Sequence, residues 1–282
     1  MQIDKNAASK HVLAALANIA VFDSVERKKI IDGSPHIKHL SLRLLYSKLI
    51  KQVYDCAQKR TLKSPPKILD LGAGDGLTTL AFLELGAVVT AVDISDKQLV
   101  VLKNKCRHFN DRLEVRCGDI EKIMKSENST YDVIVVSSFL HHIPDYLGLI
   151  RKAVILLSPR GQFFSFQDPL KYDTIGKPSR IFSILAYFSW RIFKGDLWGG
   201  LKRHIRRSRG LYLDNSVHDN AEYHVTRKGV DQNAIVSLLN NAGFKCDLIR
   251  YFSIQGKLLQ SMGSALNIKN TFAIIAQKRD KD

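Results

Sequence analysis

Short apolar runs and helical spacings alternate along most of this chain. From Ala7 to about Lys63 the apolar positions, among them Leu40, Leu42, Leu44, Leu45, Leu49, Ile50 and Val53, recur at mixed three- and four-residue steps, the spacing of helices with a buried face. Asp32-Gly33-Ser34-Pro35 punctuates this stretch and Ser64-Pro65-Pro66 ends it. Five short apolar runs follow: Ile68–Leu71, Val88–Val92, Leu113–Cys117, Val133–Val136 and Gln162–Phe166. Between them lie helix-like segments such as Leu77–Leu85, closed by Gly86, and Lys97–Lys105, entered through Ser95. This rhythm predicts βα units joined in a parallel sheet.

After Pro169 the alternation stops for more than fifty residues, and the chain turns aromatic, then strongly basic, then polar. It resumes with a helix near Val230–Asn241, a strand near Asp247–Phe252, a helical connection at Lys257–Leu266 and a strand near Thr271–Gln277. The expected organisation is therefore an N-terminal helical cap (1–63), an α/β core (64–169), an inserted substrate or lid segment (170–226) and the rest of the core (227–282).

Composition narrows the class without deciding it. A 45% hydrophobic and 25% charged chain of 282 residues can bury a core and is not disordered. No secretory signal is evident at the N-terminus, and no run of roughly 20 apolar residues suits a membrane span. Cys56, Cys106, Cys117 and Cys246 are scattered without a Cys-x-x-Cys pair, which fits free thiols and a cytoplasmic address. The net charge of +16 is uneven: residues 171–210 hold ten Lys or Arg against two Asp.

Candidate chemistry begins at Ile68-Leu69-Asp70-Leu71-Gly72-Ala73-Gly74-Asp75-Gly76, a strand running through three glycines into a helix. Such a turn lets backbone pass close under a ligand, although tight packing or a dinucleotide site would use the same residues. The next strand ends at Asp93, nineteen residues after Gly74, where a carboxylate can accept from both ribose hydroxyls, and the third ends at Asp119. In an open parallel sheet the carboxyl ends of strands form the ligand crevice, so Asp70, Asp93 and Asp119 are expected at one edge.

In this order the motifs resemble those of class I S-adenosylmethionine-dependent methyltransferases. The resemblance implies a Rossmann-like seven-stranded, mostly parallel sheet with an antiparallel last strand, and S-adenosylmethionine as cofactor. It carries the glycine turn over to cofactor binding by Asp70, Gly72, Ala73 and Gly74. Asp93 with Ile94 would hold the ribose, Asp119 with Ile120 would meet adenine, and Ser137, in a fourth motif at Asp132–Ser138, would approach the methionine part. Leu156–Gln162 resembles the turn into the fifth strand, with Arg160 where a second glycine is common. A nicotinamide dehydrogenase fits less well, because the turn reads Gly-x-Gly-x-Gly and not Gly-x-Gly-x-x-Gly.

Methyl transfer is a direct displacement that needs alignment and exclusion of water, with a base where the acceptor carries a proton. His141 and His142, just beyond the fourth strand, are the catalytic candidates, and Asp168 is a plausible orienting partner. A packed or solvated histidine is the plain structural alternative. Tyr46, His36, His39 and Glu222-Tyr223-His224 are further polar candidates, and no zinc-ligand spacing is visible, so no metal is expected. The aromatic stretch Ile181–Phe193 reads either as a packed helix or as a lid over the acceptor.

The basic run Lys202–Arg209 reads as a solvated face or as a grip for an anionic substrate group, lipid headgroups or RNA phosphates. The resulting expectation is O-, C- or N-methylation of a small, hydrophobic or anionic organic acceptor, such as a natural product, sugar or lipid-like molecule, with membrane-surface contact and oligomerisation left open. Nucleic acid is disfavoured, since neither an RNA-binding module nor an Asp/Asn-Pro-Pro-aromatic motif is present. The alternatives are an RNA methyltransferase using the basic run, and a protein that binds the cofactor without transfer chemistry.

Overall fold

A computed structural model describes residues 5–23, 34–61, 64–193, 198, 201–202, 205–206, 209–213 and 216–279. Helices α1 (Lys5–Phe22), α2 (Pro35–Lys38) and α3 (Leu40–Thr61) precede the sheet. The core then runs β1 (Lys67–Leu71), α4 (Leu77–Leu85), β2 (Val88–Asp93), α5 (Asp96–Lys105), β3 (Leu113–Cys117), α6 (Ile120–Ser126), β4 (Tyr131–Ser137), α7 (Tyr146–Ile155) and β5 (Leu157–Pro169). Helices α8 (Lys177–Phe193), α9 (Val217–Ala221) and α10 (Tyr223–Thr226) lie in the insertion. Helix α11 (Gln232–Asn241), β6 (Phe244–Tyr251), α12 (Lys257–Ala265) and β7 (Thr271–Lys278) complete the chain.

The seven strands lie in the order β3-β2-β1-β4-β5-β7-β6. Strands β1 to β5 pair in parallel, and β7 runs antiparallel to both β5 and β6. The expected sheet with its reversed last strand is therefore present. Its central strands are apolar on both sides, as parallel strands covered by helices must be, and Ile68, Val133, Val135, Phe164 and Phe166 are fully buried. Helix α3 supplies much of one covering layer by burying Leu42, Tyr46, Leu49, Ile50 and Val53 along one face. Phe166 joins sheet and cap, with Tyr46 at 4.6 Å and Tyr251 stacked at 5.3 Å.

Helix α1 packs against α9 and is tied to the segments that follow β2 and β3. Gln98 Nε2 donates to the Phe22 carbonyl at 3.0 Å, Ser95 Oγ donates to Asp23 Oδ1 at 2.5 Å, and His11 Nε2 lies 3.0 Å from Asp119 Oδ2. Among the described residues, no helix is long and apolar enough to cross a membrane.

Candidate active site

Because all five parallel strands point the same way, their carboxyl ends converge on one cavity of about 440 Å³. After β1 the chain turns at Gly72 and Gly74, both with positive φ (75° and 54°). Gly72 N–H and Ala73 N–H donate to the Val92 carbonyl at 2.9 and 3.0 Å, which pins the turn to the end of β2. A Cβ on Gly72 would lie 2.3 Å from the Phe139 ring, so both backbone angle and space require glycine.

Asp93 holds this turn from the next strand. Its Oδ2 accepts from Gly74 N–H at 2.8 Å and its Oδ1 from Ser95 N–H at 2.8 Å, with the carboxylate at the cavity wall. Asp119 caps α6 by accepting from Glu121 N–H and Lys122 N–H through Oδ1, while Oδ2 faces His11. Gly72, Ala73, Gly74, Ile94, Ile120 and Ser137 line the same cavity.

Asp70 departs from the expectation of direct ligand contact. It is buried, does not line the cavity, and accepts from Thr79 Oγ1 at 2.7 Å. Burial, with Asp93 nearby, pushes its carboxyl up to about 7 despite that hydrogen bond. It fastens β1 to the first turn of α4 beneath the glycine turn.

Beyond β4 a short 3₁₀ turn, Leu140–His142, brings both histidines to the cavity. Asp168 reaches His141 through an irregularity in β5: its register against β7 shifts between Phe166 and Asp168, and Gln167 between them has φ 67°. Tyr251 Oη accepts from Gln167 N–H at 3.0 Å and Gln167 Nε2 donates to Ser253 Oγ at 2.6 Å, so this uncommon backbone angle is held from β6 and the loop after it. Asp168, fully buried, then accepts through Oδ1 from His141 N–H at 3.1 Å, with His141 Nδ1 2.8 Å from the same oxygen. Its position outside the cavity lining makes it an orienting group.

The two histidines have different electrostatics although their rings are 4.0 Å apart. Burial works against protonation of His141, but Asp168 and then Glu222, whose Oε2 is 3.7 Å from Nε2, outweigh it and hold its pKa above the usual value. Burial and the charge on His141 push His142 down to about 4. His142 Nδ1 bonds the Ala221 carbonyl, which can only accept, so Nδ1 carries the hydrogen and Nε2 is a bare lone pair.

Glu222 and Val225 are where the insertion meets the cavity. None of the described residues 177–193 lines it, so of the two readings of Ile181–Phe193 the cavity wall favours the packed helix; the side chains of Trp190, Arg191 and Phe193 lie outside the described residues. Phe182 packs on Phe252 at 5.5 Å, while Ile181, Leu185 and Ile192 face solvent. In the basic run, Arg206 forms an ion pair with the buried Asp219 at 2.7 Å, and Arg203, His204, Arg207 and Ser208 lie outside the described residues.

Sequence reasoning missed two of the polar groups at the cavity. Asn18 Oδ1 from α1 and Gln98 Oε1 from α5 are buried acceptors without a partner among the described residues, as is His36 Nδ1, and burial lowers the His36 pKa to about 4. Only His36 had been singled out; nothing in the local sequence of Asn18 or Gln98 marks either as part of a site. His39 and Tyr46 serve the cap, bonding the Ile254 carbonyl at 2.8 Å and Thr78 Oγ1 at 2.5 Å respectively.

This sheet, with one reversed strand and a glycine turn after β1, is the class I S-adenosylmethionine-dependent methyltransferase fold. Residues 69–165, from β1 into β5, match the family described as a methyltransferase domain. The chain is 35% identical over 107 residues to a ubiquinone biosynthesis O-methyltransferase of Coxiella burnetii, a match covering 38% of this chain and 45% of that relative. Matching thus spans less than half of the relative's length.

Solved structures agree over nearly the whole chain. The plantazolicin methyltransferase BpumL in complex with SAH aligns with TM-score 0.55 at 16% identity, covering 98% of each chain. Magnesium protoporphyrin IX methyltransferase (ChlM) from Synechocystis PCC 6803 with bound SAH aligns with TM-score 0.54 at 14% identity, covering 96% of this chain and 99% of that one.

Proposed function

We propose that the protein transfers a methyl group from S-adenosylmethionine to a hydroxyl of a small organic acceptor. The observation that carries this reading is that the Gly72–Gly74 turn, Asp93 and the His141–His142 pair, from three different strand ends, line a single cavity. The unpartnered acceptors Asn18 Oδ1 and Gln98 Oε1 support the cofactor, because each lacks a donor that hydroxyl or amino groups of an adenosyl ligand would supply.

In this reading the glycine turn lies under the amino-acid portion and Asp93 takes the ribose hydroxyls. Asp119 and Ile120 border the adenine, and Ser137 lies toward the sulfur. Bound there, the cofactor supplies an electrophilic methyl group on a sulfonium. The chain contributes alignment and a dry site, the main sources of rate in a direct displacement. His141, His142 and Glu222 meet the acceptor hydroxyl and promote loss of its proton, with Asp168 fixing the His141 ring.

Apolar wall residues such as Phe22, Phe139, Ile143 and Leu149 support an acceptor with a hydrophobic body. Within 170–226, the Glu222–Val225 end is the part that supports acceptor recognition, since it lines the cavity. The exposed Ile181, Leu185 and Ile192 of α8, in a segment rich in lysine and arginine, support contact with a membrane surface. A panel of phenolic, glycosylated and lipidic hydroxyl compounds, assayed for S-adenosylhomocysteine release, tests the reading. Turnover with at least one class is expected, and tight cofactor binding without turnover on any would count against transfer.

A further inference from the structure

We infer that His141, His142 and Glu222 form a binding site for a divalent transition-metal cation, with a remaining coordination position open to the acceptor hydroxyl. The inference deepens the proposed methyl transfer and rests on it only for what occupies the open position.

One donor atom from each of the three side chains lies within 4.8 Å of the others, and all three residues line the cavity. His141 Nδ1 is committed to Asp168 and His142 Nδ1 to the Ala221 carbonyl, leaving both Nε2 atoms as donors. Ligating histidines characteristically present their second nitrogen to a carboxylate or a backbone carbonyl, which fixes the tautomer and aims the ring. Both arrangements occur here side by side.

Glu222 completes the set. Its Oε2 is 3.7 Å from His141 Nε2, and two ligands at 2.0–2.1 Å from a tetrahedral zinc stand roughly 3.3 Å apart. The Glu222 side chain is 46% exposed and can rotate to close the remaining gap.

Two imidazoles and one carboxylate favour zinc, iron, cobalt or manganese over magnesium or calcium, and three protein ligands leave a site open for chemistry. A hydroxyl bound there gives its proton to water and becomes the better nucleophile. Its oxygen then bonds the methyl carbon as the carbon–sulfur bond breaks, the electron pair leaving with sulfur. Spacing along the chain cannot show this set, because eighty residues separate His142 from Glu222.

The test uses full-length protein stripped with a chelator and titrated with Co²⁺ alone, read by visible ligand-field absorption, with S-adenosylhomocysteine calorimetry on the same sample. One equivalent of cobalt with intense bands is expected, displaced by Zn²⁺ and weakened at least tenfold in Glu222→Gln and in His142→Gln. Folding of each variant is checked by circular dichroism. No stoichiometric cobalt binding, or binding unchanged in both folded variants, overturns the site. Heat with S-adenosylhomocysteine but no cobalt band refutes the metal and leaves methyl transfer standing, whereas a cobalt band without that heat upholds the metal and removes the cofactor reading.

Discussion

One oxygen of Asp168 serves His141 twice, lying 3.1 Å from its backbone nitrogen and 2.8 Å from Nδ1. The carboxylate thus fixes the 3₁₀ turn and the ring orientation together. Asp168→Asn keeps the shape but changes the hydrogen-bonding pattern at Nδ1. The expected result is a fall in kcat of about 10²-fold, the scale of a misaligned proton-handling group, with S-adenosylhomocysteine affinity unchanged within about threefold. Steady-state kinetics and calorimetry on the same preparation check the separation, and a parallel loss of affinity would show that Asp168 holds the whole site.

Asp93 accepts from two backbone N–H groups, Gly74 and Ser95, before any ligand is considered. Removing it in Asp93→Ala therefore loosens the turn and deletes the proposed ribose acceptor. Hydrogen bonds to a charged group contribute about 1.5–3 kcal/mol each, so cofactor affinity should fall by about 10²-fold or more. Equilibrium dialysis with labelled S-adenosylhomocysteine measures this. An affinity within threefold of the native value would place the ribose elsewhere.

Gly72→Ala forces a left-handed backbone angle on a residue with a Cβ and drives that Cβ into Phe139. A loss of stability of about 1–3 kcal/mol is expected, combining backbone strain and overpacking. Phe139→Ala in the same chain should recover the steric part only. Urea denaturation of the single and double variants measures both contributions, and an undisturbed Gly72→Ala would mean the turn is held differently.

Asp70 carries the pH dependence of stability most directly. Its carboxyl is raised from 3.8 to about 7 by burial. Below the unfolded value both states are protonated and its contribution is fully present. As pH rises toward 7 the unfolded chain ionises first, so stability declines and the loss is complete above the folded value. Asp70→Asn, which cannot ionise and keeps an oxygen for Thr79, should flatten this decline and gain relative stability at pH 8 over pH 5. A tenfold change in proton affinity corresponds to about 1.4 kcal/mol, so the difference should reach at least 1 kcal/mol. Thermal melts across pH 5–8 test it, and parallel curves for the two proteins would show that Asp70 titrates normally.

The sheet was legible because fully buried strands such as Val133–Val136 admit only apolar residues, and because Gly72 and Gly86 mark turns that other residues cannot make. The histidine pair was legible from its place just past the fourth strand. The bulge at Gln167 was not, since glutamine carries no sequence mark of a positive φ and the turn is held by Tyr251 and Ser253 from afar. Nor could local pattern show that Asp70 points under the turn while Asp93 borders the cavity, as both simply end strands. The aromatic stretch stayed ambiguous for a related reason: an apolar helix face predicts burial or contact but not with what, and Phe182 finds Phe252 and not the cavity.

The central claim is that the crevice at the strand ends receives an adenosyl sulfonium. Isothermal titration of S-adenosylhomocysteine into the purified full-length protein addresses it without any need to know the acceptor. One site per chain with measurable heat, lost in Asp93→Ala, is the predicted result; a flat titration with correctly folded native protein would contradict it.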